Sequence, residues 1–275
     1  MKKQVAVLVG AGSIGQAIIR RVSAGKHIVL ADYSEENAKR AAKTLEDAGF
    51  ECSTIKCDLG SKKVVTKVWI SNAGEEKAAK SIDESLRKLQ TDYIDLLLIH
   101  QAYGDVFGSW RAMEKAYKAG KVRAIGVSNF QAARFFDFAH YVDVKPMVNQ
   151  LQCNPMIQQT GIEPLLAETD TKMMAWGPLG GQGVDGIVKS ELLAGIGQKY
   201  GKTAAQVALR WLTQRGIVAI PKSSHKERME QNLNIFDFKL SSEEMAHIAT
   251  MNQHDTGTIN FQDPQFVKYL IETYG

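Results

Sequence analysis

Long apolar runs are missing from this chain. Met1-Lys-Lys precedes a short apolar stretch that meets glycine at residue 10, too short for a signal-peptide core or a membrane span and without a small-residue cleavage site. Cysteine is scarce as well: Cys52, Cys57 and Cys153 are odd in number and lack a metal-ligand spacing, so no metal site is expected and the thiols read as reduced. A soluble, cytoplasmic protein follows from these two absences. An excess of one charge is also lacking. The 34 Lys and Arg against 30 Asp and Glu leave +4, spread along the chain apart from short groups such as Lys62-Lys63. That argues against a nucleic-acid surface and leaves room for an anionic small ligand. No Pro-rich or low-complexity linker marks a boundary near residue 60, and no short internal repeat is evident. What is present is a 275-residue chain, 44% hydrophobic, with enough apolar material for one α/β barrel or two small domains.

Strand-like apolar runs alternate with helical patterns throughout, which predicts βα units and parallel pairing. Strands are expected at 5–9 and 27–31, with helices over about 13–23 and 34–48, the second opened by Ser34 with Glu35 and Glu36 in its first turn. A third apolar stretch, 52–57, ends at Asp58. Six further strands follow at 64–69, 94–99, 124–127, 147–150, 173–176 and 218–220, separated by helical segments such as 76–89, 109–119 and 204–214. Two strands and six make the eight of a (β/α)8 barrel. Only residues 58–63 separate the stretch at 52–57 from the strand at 64, too few for a parallel crossover, so those two cannot be consecutive parallel neighbours.

The run Gly10-Ala-Gly12-Ser-Ile14-Gly15 follows an apolar strand and opens a helix. Gly10 permits the tight turn, Gly12 lets the backbone approach a pyrophosphate and Gly15 allows close helix packing. Asp32 ends the next strand, near where an acid accepts from a ribose 2′-hydroxyl. Residues 4–59 resemble the N-terminal part of short-chain dehydrogenases, and that resemblance implies a dinucleotide bound at Gly10, Gly12, Ile14, Asp32 and Asp58. A tight βα turn without a ligand is the other reading of the same glycines. Two further echoes of that family, Tyr117-Lys-Ala-Gly-Lys121 and Ser71-Asn72-Ala73-Gly74, fall at the wrong places in the pattern.

From about residue 64 to the end, ordered motifs of another kind appear: Thr66-Lys67-Val-Trp69, Leu97-Leu-Ile-His100-Gln, Gly126-Val-Ser128-Asn129-Phe130, Ala175-Trp-Gly-Pro-Leu179 and Ile220-Pro-Lys222-Ser223 with Arg228, Gln231 and Asn232. Together they resemble the aldo-keto reductases. Lys67 and His100 fall at the C-terminal ends of strands, where barrel enzymes place their chemistry. Carbonyl reduction delivers hydride from a nicotinamide and a proton to the developing alkoxide, so it needs positive or hydrogen-bonding groups around that oxygen. The resemblance implies His100 polarising the carbonyl and Lys67 lowering the pKa of a neighbouring phenol. It implies Ser128, Asn129 and Gln150 at the carboxamide and Trp176 under the nicotinamide ring, with Gly177 and Leu179 beside it. Lys222, Ser223 and Arg228 would meet a ribose 2′-phosphate, and Gln231 and Asn232 the adenine. That set favours NADP, with NAD possible because the Asp32 carboxylate would repel a nearby 2′-phosphate.

The chain departs from that family at its front. The family carries Asp-Thr-Ala-x-x-Tyr after strand two, where Tyr is the proton donor and Asp orients the lysine, whereas here Asp32 is followed directly by Tyr33. Asp32 and Tyr33 are the candidates to replace the lost groups. The expected fold is α/β: one barrel domain over 1–275, in which a Rossmann-like segment 1–60 supplies the first two strands and a reductase-like segment 64–275 the rest, with 52–57 a stray strand or loop. The alternative is a separate Rossmann-like layer beside an incomplete barrel. In a closed barrel, Gly10 to Gly15 would open onto the same face as Lys222 and Ser223. The expected function is an NADP(H)-dependent oxidoreductase acting on a small-molecule carbonyl, an aldehyde, ketone or keto-sugar, and impaired by the missing groups. The other reading is a chimeric scaffold that folds and binds a dinucleotide without significant turnover. Trp69 and residues 252–275 are expected to wall the substrate pocket, and Trp110 to pack in the core. The substrate's identity and the oligomeric state have no signature here.

Overall fold

The computed structural model describes residues 5–9, 27–32, 35–56, 64–181, 186–253 and 259–274. Gly10, Gly12, Ile14 and Gly15, the helix expected over 13–23, Tyr33, Ser34 and residues 57–59 lie outside them. The chain divides into two compact units, Met1–Lys63 and Val64–Gly275.

The first unit carries three parallel strands, β1 (Val5–Val9), β2 (His27–Asp32) and β3 (Cys52–Lys56), in the order β1-β2-β3. Helix α1 (Glu35–Glu46) connects β2 to β3 and turns Ala38, Ala41, Ala42 and Leu45 inward. Ile28 joins that small core, with Phe50 and Cys52 packed against it. This corrects the reading of 52–57 as a stray strand or loop. Residues 52–56 pair with β2 along its length, from Ile28 opposite Cys52 to Asp32 opposite Lys56. The stretch itself was visible in the sequence; its partner, at distant sequence positions, was not.

The second unit holds six parallel strands in sequential order: β4 (Val65–Val68), β5 (Leu96–Ile99), β6 (Ile125–Ser128), β7 (Val148–Gln152), β8 (Lys172–Trp176) and β9 (Val218–Ala219). The described ladders thus form two sheets, where a single eight-stranded ladder containing β1 and β2 was expected. Strands β3 and β4 lie in different sheets, in keeping with a connector too short for a parallel crossover. All four residues of β5 and of β6 are buried, as expected of strands covered on both faces.

Local chemistry sets the helices. Helix α2 (Glu75–Leu89) buries Ala78 and Ile82, one turn apart, and carries acids in its first turn and Arg87 and Lys88 in its last, each complementing the helix dipole. Helix α3 (Val106–Lys118) begins three residues earlier than expected because the Asp105 side chain accepts from the Gly108 N–H at 2.7 Å. Helices α4 (Ala132–Tyr141), α5 (Glu163–Glu168) and α6 (Glu191–Gln198) follow. Helix α7 (Ala204–Gln214) opens with a reciprocal cap between Thr203 and Gln206. Then come α8 (Lys226–Leu233), α9 (Ser242–Ala249) and α10 (Pro264–Tyr274). Trp110, Trp211, Phe130, Phe135 and Phe138 are fully buried between these helices and the sheet. Trp110 is a core residue, as expected, and its indole N–H donates to the Val144 carbonyl at 3.1 Å. Cys52 and Cys153 are free thiols. Among the described residues no helix is long and apolar enough to cross a membrane.

Candidate active site

The C-terminal ends of the strands of the second sheet converge on a cavity of about 320 Å³. Lys67 on β4, His100 just past β5, Ser128 and Asn129 at the end of β6, Gln150 on β7 and Trp176 on β8 all line it. Parallel register does this. With Lys67 opposite Leu98, Leu98 opposite Gly126 and Ser128 opposite Gln150, one strand end after another delivers a side chain to the same mouth. Gln101, Ile259, Phe261 and Phe266 complete the lining. The last three belong to the tail expected to wall the pocket, and the Tyr103 hydroxyl, which donates to the Phe261 carbonyl, fastens that tail to the loop after β5. Gln101 and Tyr103 were not singled out from sequence; Gln101's only signal was its place directly after His100. Trp69 is not among the lining residues; its ring lies 4.7 Å from that of His100, nearly edge-on, with Tyr274 of α10 against its other side at 5.4 Å.

Asn129 organises the floor. It adopts a left-handed backbone, φ +63°, which asparagine tolerates better than most residues. Its amide N–H donates to the His100 carbonyl at 3.2 Å and its amide oxygen accepts from the Trp176 indole at 3.0 Å. The Ser128 hydroxyl donates to the Gln150 carbonyl at 3.1 Å. The Gln150 amide nitrogen donates to the Met174 sulfur at 3.0 Å, and its amide oxygen accepts no hydrogen bond among the described residues.

Among the described residues, no carboxylate and no tyrosine line this cavity, and Lys67 makes no ion pair. Burial pulls the Lys67 ammonium below its ordinary range. Burial also depresses the His100 imidazole, and the Lys67 charge adds to it, so that the ring titrates at about 4. At neutral pH the site therefore presents an uncharged imidazole beside an amine whose charge is poorly supported.

A second cavity, of about 620 Å³, opens beyond the loop that follows β8. Lys222, Ser223, Arg228, Gln231 and Asn232 line it with His225 and Leu179. Neither Lys222 nor Arg228 has an ion-pair partner among the described residues, so the cleft carries two uncompensated cations. Gly177 begins the loop between the two cavities at φ +59°, and its carbonyl accepts from the Asn154 amide at 3.1 Å. Asp32 sits in the first unit, its backbone paired opposite Lys56. Tyr33 lies outside the described residues.

The sequence profile of the aldo/keto reductase family matches residues 33–253, and the chain belongs to that family. The match reaches back into the segment read as Rossmann-like. A 9,11-endoperoxide prostaglandin H2 reductase of Trypanosoma cruzi is 42% identical over 191 residues, 69% of this chain and 68% of that protein. A glyoxal reductase of Bacillus subtilis is 41% identical over 194 residues, 70% and 69% of the two chains. Among solved structures, an aldo-keto reductase from a Medee basin deep-sea metagenome library superposes with a TM-score of 0.71 at 30% identity, covering 94% of each chain. A Bombyx mori aldo-keto reductase in complex with NADP gives 0.68 at 26% identity, covering 98% of this chain and 93% of that one. The chain is thus an oxidoreductase of the aldo/keto reductase family with an α/β fold built on parallel strands.

Proposed function

We propose that this chain binds NADP(H) and reduces small carbonyl compounds, aldehydes, ketones or keto-sugars, in the cavity that gathers Lys67, His100, Gln150 and Trp176. That convergence of four strand ends is the observation that carries the reading. The donor set fits the cofactor: the free Gln150 amide oxygen suits a carboxamide N–H, the Trp176 face suits a flat aromatic ring, and uncompensated Lys222 and Arg228 suit a dianionic 2′-phosphate, which favours NADP over NAD. NADPH would supply the hydride. His100, neutral at pH 7, donates a hydrogen bond to the carbonyl oxygen, a contact worth about 10²–10³ in rate where it stabilises developing charge. Ile259, Phe261 and Phe266 exclude water from that oxygen. Lys67 adds positive charge near that oxygen when protonated. The six consecutive strands β4–β9 belong, on this reading, to the family's (β/α)8 barrel. The derivation of residues 1–60 from a short-chain-dehydrogenase-like segment is part of the same proposal, as are a cytoplasmic location and a free small-molecule substrate.

That no carboxylate or tyrosine lines the cavity among the described residues favours a second reading, a chain that holds the dinucleotide with little turnover. Titration with NADPH and NADH, followed by tryptophan quenching, tests the cofactor. NADPH-selective saturation lost in Lys222→Ala supports it, and no saturable binding of either removes it. NADPH oxidation with glyoxal then separates the two readings. Turnover abolished by His100→Ala and Lys67→Met supports the reductase, and saturable binding with no oxidation leaves the scaffold.

A further inference from the structure

Lys67 differs from the exposed, ion-paired lysines of the second unit in what surrounds its charge. Lys80, Lys88, Lys115, Lys121 and Lys172 each hold a carboxylate at 2.7 Å or closer and stand well exposed to solvent. Lys67 is partly buried, and among the described residues that line its cavity there is no acid, while Trp176, Ile259, Phe261 and Phe266 form apolar wall. His100, the other titratable group among the described residues lining the cavity, is neutral and can both accept and donate a proton. An amine deprived of solvent and counter-charge is held toward its uncharged, nucleophilic form, the condition under which lysines attack carbonyl carbon. Burial lowering the Lys67 pKa agrees with this placement.

We propose that Lys67 captures aldehydes entering this cavity as a reversible imine, a covalent reaction separate from hydride transfer. The proposal rests on the reading above only in taking the cavity to admit a carbonyl compound. The Nζ lone pair attacks the carbonyl carbon, a C–N bond forms, and the C=O π pair moves onto oxygen. The nitrogen gives up a proton, the oxygen gains one, and a neutral carbinolamine results. The nitrogen lone pair then forms the C=N bond as the hydroxyl takes a proton and leaves as water, and the resulting iminium gives its remaining N–H proton back to His100 to become the imine. His100 is the group that takes the proton from nitrogen and returns one to the departing oxygen. Nothing is oxidised or reduced, and one water is released for each imine formed.

Trapping tests it directly. The full chain is incubated at neutral pH with benzaldehyde and sodium cyanoborohydride, without NADPH, and secondary amines are mapped by peptide mass spectrometry. Modification of Lys67 should accumulate at least about tenfold faster than that of exposed Lys80 or Lys222, the margin separating an amine held neutral from one held charged. In Lys67→Arg, folded by circular dichroism, the fast product should vanish and the slow surface products persist, while His100→Asn should slow the Lys67 product. Because the ratio is read within one wild-type sample, it does not depend on any variant folding. Labelling of Lys67 no faster than of exposed lysines overturns the proposal. NADPH oxidation with the same aldehyde is scored separately. Trapping without oxidation keeps the imine and removes the reductase reading, and oxidation without trapping does the reverse.

Discussion

Acidification from pH 7 toward 4 should leave the His100 ring uncharged over most of that range. Burial, and then the Lys67 charge, bring its pKa from 6.5 to about 4. At about 1.4 kcal/mol per pKa unit this is roughly 3 kcal/mol in favour of the neutral ring, and solvent screening at the cavity mouth trims it to about 2 kcal/mol. The unfolded chain takes up a proton at this histidine near 6.5 and the folded chain does not. The stabilisation is therefore complete above 6.5 and drains away as the pH falls to about 4. Lys67→Met removes the smaller of the two causes. It should raise the His100 pKa while leaving it below 6.5, and reduce the acid-induced loss by less than about 1 kcal/mol. Imidazole NMR titration, assigned among the six histidines with His100→Gln, reads the pKa, and urea unfolding at pH 7 and pH 5 reads the stability. A wild-type His100 resonance titrating near 6.5, or one that Lys67→Met leaves unmoved, would refute the reasoning.

Asn129→Ala should destabilise the fold by about 2–4 kcal/mol, since it strands the Trp176 indole and forces alanine into a left-handed backbone, and Asn129→Gly should cost less because only the first penalty remains. Chemical denaturation that ranks glycine as the worse substitution would contradict this. Gly126→Ala places a Cβ 2.5 Å from the Val148 carbonyl oxygen and 2.8 Å from a Leu98 methyl, so thermal unfolding should show a loss of about 1–3 kcal/mol or more, and an unchanged melting temperature counts against the packing described. Burial raises the Glu244 pKa, but hydrogen bonds from the Tyr200 hydroxyl, the Ser241 N–H and Lys199 outweigh it and hold the acid at about 2. Its stabilisation is present above 4.5 and is lost as pH falls toward 2. Glu244→Gln should cost about 1.5–3 kcal/mol at pH 7 in urea unfolding and flatten the acid limb, and a variant as acid-sensitive as the wild type would count against it.

Strand β5 could be read from the sequence because Leu96-Leu-Leu-Ile99 is apolar without a break, and α7 because Thr203 and Gln206 announce its start. Strand β3 was legible as a third stretch at 52–57 but its place was not, since only pairing with β2, at distant sequence positions, sets it. The start of α3 was hidden behind Gly108, whose N–H is the very group that Asp105 caps. At the site, the residues at strand ends were legible because parallel strands must deliver their C-terminal ends to one face. Phe261 and Phe266 were legible only as part of a tail, because its return depends on distant contacts such as the Tyr103 hydroxyl on the Phe261 carbonyl and Tyr274 against Trp69. The double engagement of Asn129 had no sequence signal, because it depends on which atoms two neighbouring strands leave unpaired.

That engagement gives the cavity a thermodynamic memory. One amide holds the indole of Trp176 at one end and the backbone of His100 at the other, so a change at either is felt at both. An aromatic ligand seated on the indole should alter the proton affinity of the imidazole, and protonating the imidazole should alter that ligand's affinity by the same factor, as reciprocal coupling requires. Ligand occupancy and the charge of the imidazole are then two readings of a single equilibrium.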